Sequence, residues 1–174
     1  MKIWKKIAGE TGAEIAEAAI VLPLVFMLLL GIYWFGRAYN TYATITHAAR
    51  EGARAATAQS CATCGNAALV EAQVATRVGQ ALQASKLDPA RVTPLLPSPG
   101  LKDCQTGAAV VPGCASSPAI CFAPSVRIND PTTGPVACGV SVSFQYPYQF
   151  YLPFTSLNGQ LIQLKADVQT AGED

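Results

Sequence analysis

One histidine, His47, is all that the 174 residues contain. This scarcity removes the paired-histidine metal helix and the histidine-driven nucleophile, and the chain also lacks a phosphate-cradling glycine loop with its lysine and a nucleophile elbow. His47 lies between Thr46 and Ala48 in a helical run and reads as a partly exposed helix residue, since a general base needs a partner. Charge is scarce too. Asp, Glu, Lys and Arg make up 13% of the chain, about half the usual fraction of roughly 25%. The net charge of +1 offers no field for a polyanion, so nucleic acid is not an expected partner. No catalytic residue, metal site or cofactor is expected, and the chain reads as non-enzymatic.

Charge vanishes altogether between Ala18 and Gly36. At about 1.5 Å per residue that run nearly crosses a hydrocarbon core of about 30 Å, which predicts a spanning helix. A cleaved secretory signal would have a shorter apolar stretch followed closely by a small-x-small site, and the nearest such site is Ala56-Thr57-Ala58. Pro23 falls in the first turns of the run, where a local adjustment can satisfy the freed carbonyl. Lys2, Lys5 and Lys6 before the helix are balanced by Arg37, Arg50 and Arg54 after it, so basic residues alone do not orient it.

Cysteine supplies the orientation. Cys61, Cys64, Cys104, Cys114, Cys121 and Cys138 all follow the apolar run, an even count that suits disulfides in an oxidising compartment and leaves the lysine-bearing tail in the cytoplasm. Free buried thiols are the competing reading. Zinc lacks a second cysteine pair and a histidine set. A redox role for Cys61 and Cys64 lacks the strand that should precede such a motif. Neighbour pairing at low loop entropy gives Cys61 with Cys64, Cys104 with Cys114 and Cys121 with Cys138 as the expected bridges.

Helical patterning continues past the apolar run to Ala58, with Ala48, Gly52 and Ala56 forming a stripe of small residues. That stripe is expected to pack on the chain's own domain, while Arg50 and Arg54 face solvent and Glu51 can reach Arg54. A second, amphipathic helix is predicted after Gly65, with Asn66 as its cap and Leu69, Val70, Val74, Val78 and Leu82 on one face. Pro89, Pro94, Pro97 and Pro99 open a loop region that needs its cysteines for order. Strand alternation returns at Val126 and Ile128, from Cys138 to Gln145, and from Ile162 to Gln169, each with one buried face. The aromatic stretch from Phe144 to Phe154 is expected to close the sheet onto the core or to meet a membrane interface. The fold class is therefore α+β: a long N-terminal transmembrane and stalk helix, a second amphipathic helix, and a small antiparallel β-sheet head stapled by disulfides.

Gly12, Ala13, Glu17 five residues after the glycine, and then "AAIVLP" leading into the apolar helix together resemble a class III prepilin signal. "FGRAY" (Phe35 to Tyr39), "AAREGARAA" (Ala48 to Ala56), "VSVSFQYPYQF" and "LPF" resemble the TadE-like proteins of tight-adherence (Flp, type IVc) pilus systems. The resemblance is strong from Gly12 to Ala56, looser from Cys138 to Val168, and absent through the proline- and cysteine-rich middle. It implies cleavage by a prepilin peptidase between Gly12 and Ala13, although Gly9 with Glu14 has the same spacing, and it implies a role in assembly for Glu17. It divides the chain into a leader (1–12), a transmembrane and stalk helix (13–58) and a periplasmic or extracellular head (59–174). The protein so implied is a minor pilin or pseudopilin, single-pass in a bacterial inner membrane and later in a pilus at the cell surface. Its implied partners are the peptidase, other pilins and pseudopilins, the inner-membrane assembly platform and membrane lipid. An uncleaved, signal-anchored periplasmic binding or redox domain is the alternative.

Overall fold

The computed structural model describes residues 4–57, 71–95, 100–129, 135–150 and 161–171. Its elements are those of an α+β fold: helix α1 (Trp4–Thr57), helix α2 (Glu71–Ala84), a 3-10 turn (Pro89–Arg91), and strands β1 (Leu101–Lys102), β2 (Ala109–Val110), β3 (Gly113–Cys114), β4 (Cys121–Arg127), β5 (Cys138–Gln149) and β6 (Leu161–Ala171). All pairings are antiparallel, with β1 and β2 forming one small sheet and β3-β4-β5-β6 the other. The chain divides into two compact units. One comprises Met1–Tyr39 with Phe150–Gln160, the other Asn40–Gln149 with Leu161–Asp174.

The core of the second unit begins on α1. Ile45, Ala48, Ala49, Gly52, Ala53 and Ala56 are buried, at the three- and four-residue steps of one helix face. A Cβ added at Gly52 would collide with the Val78 Cγ2 of α2 and touch Val74 Cγ1 at 3.5 Å. The small-residue stripe thus packs on the chain's own domain, as its spacing suggested. From α2 come Val74, Ala75, Val78 and Leu82, and from the sheet Phe122, Val140, Val142, Phe144, Tyr146 and Ala166. Leu69, Val70 and Asn66 lie outside the described residues. Helix α2 stops in a Schellman arrangement: Leu87 N–H donates to the Leu82 carbonyl and Lys86 N–H to that of Gln83, both at 2.9 Å, with Lys86 at φ 60°. Arg50, Glu51 and Arg54 are exposed on the last turns of α1. Glu51 there lies 3.9 Å from His47 Nε2, one turn back, and not against Arg54.

Strand β5 departs from the expectation of a single buried face. Val140, Val142 and Phe144 face the helices, but Gly139, Ser141 and Ser143 on the opposite side are buried as well. The cause is a second layer: Leu101 and Val110 of the β1-β2 hairpin pack with Ala123 and Val126 of β4, whose cross-strand partners are Ser141 and Gly139. A side chain at Gly139 would strike the Thr170 carbonyl and Ile128. Where β4 shifts register between Ala123 and Val126, Pro124 sits without breaking the ladder. Beyond Ser143, Thr93 exchanges two backbone hydrogen bonds with Gln145 (2.9 and 2.7 Å), extending the pairing of β5 with a single residue.

The disulfides correct the neighbour rule. Cys104 joins Cys138 (Cα–Cα 5.4 Å) and Cys114 joins Cys121 (4.0 Å), in place of Cys104 with Cys114 and Cys121 with Cys138. Strand register is the physical reason: Cys114 and Cys121 stand directly opposite in the β3-β4 pair, where short Cα separations bring side chains together. Cys104, at the end of the hairpin that covers the second face, is held near the start of β5, and Arg127 Nη2 donates to its carbonyl at 3.2 Å. Cys61 and Cys64 fall outside the described residues.

Two measurements check this packing. Replacing Gly52 with Leu should lower stability by about 1–3 kcal/mol through overpacking against Val78, seen as a lower thermal midpoint of the full chain in detergent, and adding Val78→Ala should recover part of the loss. In a non-reducing peptide map Cys104 should appear with Cys138. Because that bridge closes 34 residues and the other 7, Cys138→Ser should cost about 4 kcal/mol against about 2 for Cys121→Ser in the chain-entropy account.

Candidate functional site

The distinctive surface of the first unit is the helix α1 itself. Ile15, Ile20, Leu22, Leu24, Phe26, Met27, Leu28 and Leu29 are each at least half exposed. A globular protein buries such side chains, and a helix apolar on all sides belongs in a non-aqueous medium or among other helices. The segment is long and apolar enough to cross a membrane, with a mean hydropathy of 2.5 in its most apolar window and none of that window buried in the protein. It is compatible with a single-pass anchor. Pro23 lies inside the helix without ending it.

Gly12, Glu14 and Glu17 are exposed at the N-terminal end of this segment. The bond between Gly12 and Ala13 lies within α1, and a Cβ at Gly12 would meet nothing within 4 Å. Glu14 and Glu17, three residues apart, share one side of the helix. Among the described residues no salt bridge reaches either carboxylate.

At the other end is a group that the sequence reading passed over. Tyr33 and Trp34 meet edge to face with centroids 5.4 Å apart, and Arg37 Cζ stands 5.6 Å from the Trp34 centroid. Tyr39 is exposed beyond them. Aromatic rings with a cation at the end of a charge-free run form the pattern of a membrane–water boundary, where an apolar ring body and a polar tip are both satisfied. The signal lies in "YWFGR" (Tyr33 to Arg37), where aromatic residues end the charge-free run and a cation follows. Phe35, 68% exposed, lies 5.8 Å from Phe150, centroid to centroid.

The second unit has less to offer chemically. His47 is an exposed helix residue, and among the described residues no cluster of His, Cys, Asp and Glu could hold a metal. The Asp103 carboxylate accepts from Thr106 N (2.8 Å), Thr106 Oγ1 (2.7 Å) and Gln105 N (3.1 Å), and these bonds hold its pKa below the usual carboxylate value. They fasten the turn between β1 and β2. Asp167 is displaced the other way, because its carboxylate loses hydration beside the sheet while a hydrogen bond from Ser141 opposes the shift. A shallow groove of about 430 Å³ runs beside α2, lined by Thr76, Gln80, Gln83, Asp88 and Ser117 among others, with no nucleophile and base set against each other. The candidate functional surface is therefore the apolar helix with its acidic rim and aromatic collar.

No curated protein and no solved structure matches the chain. The TadE-like protein family model matches residues 12–54, about a quarter of the chain, so the stretch similar to that family lies within helix α1, from the acidic rim through the apolar run to the turns that enter the core of the second unit.

Proposed function

We propose that the protein is a minor pilin or pseudopilin of a tight-adherence (Flp-type) pilus system, clipped by a prepilin peptidase and drawn into a filament or its base through α1. The match of residues 12–54 to the TadE-like family carries the reading, since that family suggests a Tad pilus-associated protein. The exposed apolar helix supports it: leucine, isoleucine and phenylalanine side chains left exposed along α1 suit both lipid and a bundle of like helices.

In this reading residues 1–12 are a cytoplasmic leader, and the folded part, with its disulfides, stands in the periplasm. Cutting between Gly12 and Ala13 removes Lys2, Lys5 and Lys6 and creates a new amino group four residues before Glu17. A carboxylate entering a helical bundle needs a cation, and the amine of Ala13, its own or a neighbour's, supplies one. The other pilins and the inner-membrane assembly platform are the partners, and the protein performs no catalysis.

Intact-mass measurement of protein purified from membranes of cells carrying the peptidase should give a chain beginning at Ala13. A chain that keeps Met1 would favour the uncleaved anchor instead. Glu17→Gln should still insert, fold and be cut, yet fall about tenfold or more in sheared filaments, the scale of losing one charge-assisted contact of roughly 1.5–3 kcal/mol. Unchanged incorporation would remove Glu17 from the assembly role.

A further inference from the structure

We propose that Phe150 is a second interfacial anchor, seated in the headgroup region of a phospholipid bilayer beside the aromatic collar of α1, so that the chain holds the membrane surface at two points far apart in sequence. The inference rests on α1 spanning a bilayer and adds a residue that neither the apolar run nor the family match includes.

The argument is one of depth. Phe35 precedes Gly36, the last residue of the charge-free run, and Arg37 follows with its guanidinium over Trp34. With Ala18–Gly36 in hydrocarbon, Phe35 lies within about one helical turn of the boundary. Phe150, its centroid 5.8 Å from that of Phe35, must share that level and cannot stand in bulk water. The pattern of β5 agrees. Phe144, Tyr146 and Tyr148 alternate along one side of the strand and are buried, but Phe150, next in the same period, meets α1 and is only half-buried. An aromatic ring against exposed Phe35, at the level where Tyr33 and Tyr39 are also exposed on α1, continues a lipid-facing surface, and lipid is the occupant that suits rings of this kind at that depth.

Depth-resolved quenching tests it on the full chain in phosphatidylcholine and phosphatidylglycerol vesicles. With Trp4 and Trp34 changed to Phe, single tryptophans are introduced as Phe150→Trp and, separately, Phe26→Trp. Lipids brominated near the headgroup should quench the tryptophan at position 150 at least about twofold more than lipids brominated near the bilayer centre, and the order should reverse for position 26. If position 26 is quenched from the centre and position 150 by neither lipid, α1 spans but the second anchor is refuted, and Phe150 contacts protein only. If position 26 escapes the central bromines, the spanning reading fails first. In the unaltered chain, a photoactivatable lipid with its reactive carbon just below the headgroup should label the peptide containing Phe150. Absence of that label alongside labelling of the Tyr33–Tyr39 peptide would overturn the proposal without any substitution.

Discussion

The close approach of α1 to α2 is the constraint on which the folded part of the chain depends. Gly52 has no side chain because the Val78 methyl occupies that space, and Ala48, Ala49, Ala53 and Ala56 keep the rest of the face thin enough for Ile45 and the α2 valines to reach Phe144 and Val142. Larger residues would hold the helices apart and open the core above the sheet. A single helix therefore serves two media. Its first part exposes leucine, isoleucine and phenylalanine to whatever surrounds it, and its last turns are an interior wall of the second unit.

Closure on the far side of the sheet uses different chemistry. The second layer is a two-residue-per-strand hairpin, too small to hold itself by apolar burial. Its order comes from tethers: Cys104 to Cys138, the Arg127 hydrogen bond to the Cys104 carbonyl, and the turn fastened by Asp103. Under that layer even the serines of β5 are dry, so their side of the strand is interior despite its polar spelling. The head is thus stabilised by close packing on one face and by covalent and polar ties on the other.

Legibility in the sequence followed the same division. The α1 face could be read because small residues at four-residue spacing have few uses, and Val74, Val78 and Leu82 announced the facing side of α2. Strands β5 and β6 were visible through alternation, although both began or ended beyond the alternating residues. The first half of β4 was hidden because Cys121, Phe122 and Ala123 are all buried and give no alternation, with Pro124 beside them. Strands of two residues carry no periodic signal. The Cys114–Cys121 bridge follows the β3-β4 register, which no local signal shows, so loop entropy picked the wrong partners for the four described cysteines. At the candidate site, Gly12 and Glu17 come from the resemblance to a prepilin signal and their roles are a proposal, whereas the grouping of Tyr33, Trp34 and Arg37 is a contact pattern that the structure supplies. The contact between Phe35 and Phe150 joins residues 115 positions apart and had no local trace.

An acidic rim, an apolar rod, an aromatic collar and a set of turns committed to the head lie in that order along α1, and each follows from what its medium demands of a side chain. The central claim is that the last turns of this helix belong to the head's core and not to a free stalk. Hydrogen exchange on the full chain in a lipid nanodisc tests it most directly. The account predicts that amides from Ile45 to Ala56 exchange as slowly as those of Val74–Leu82 and β5, and that all three lose protection together as denaturant is added. Fast exchange of Ile45–Ala56 while α2 and β5 stay protected would contradict it.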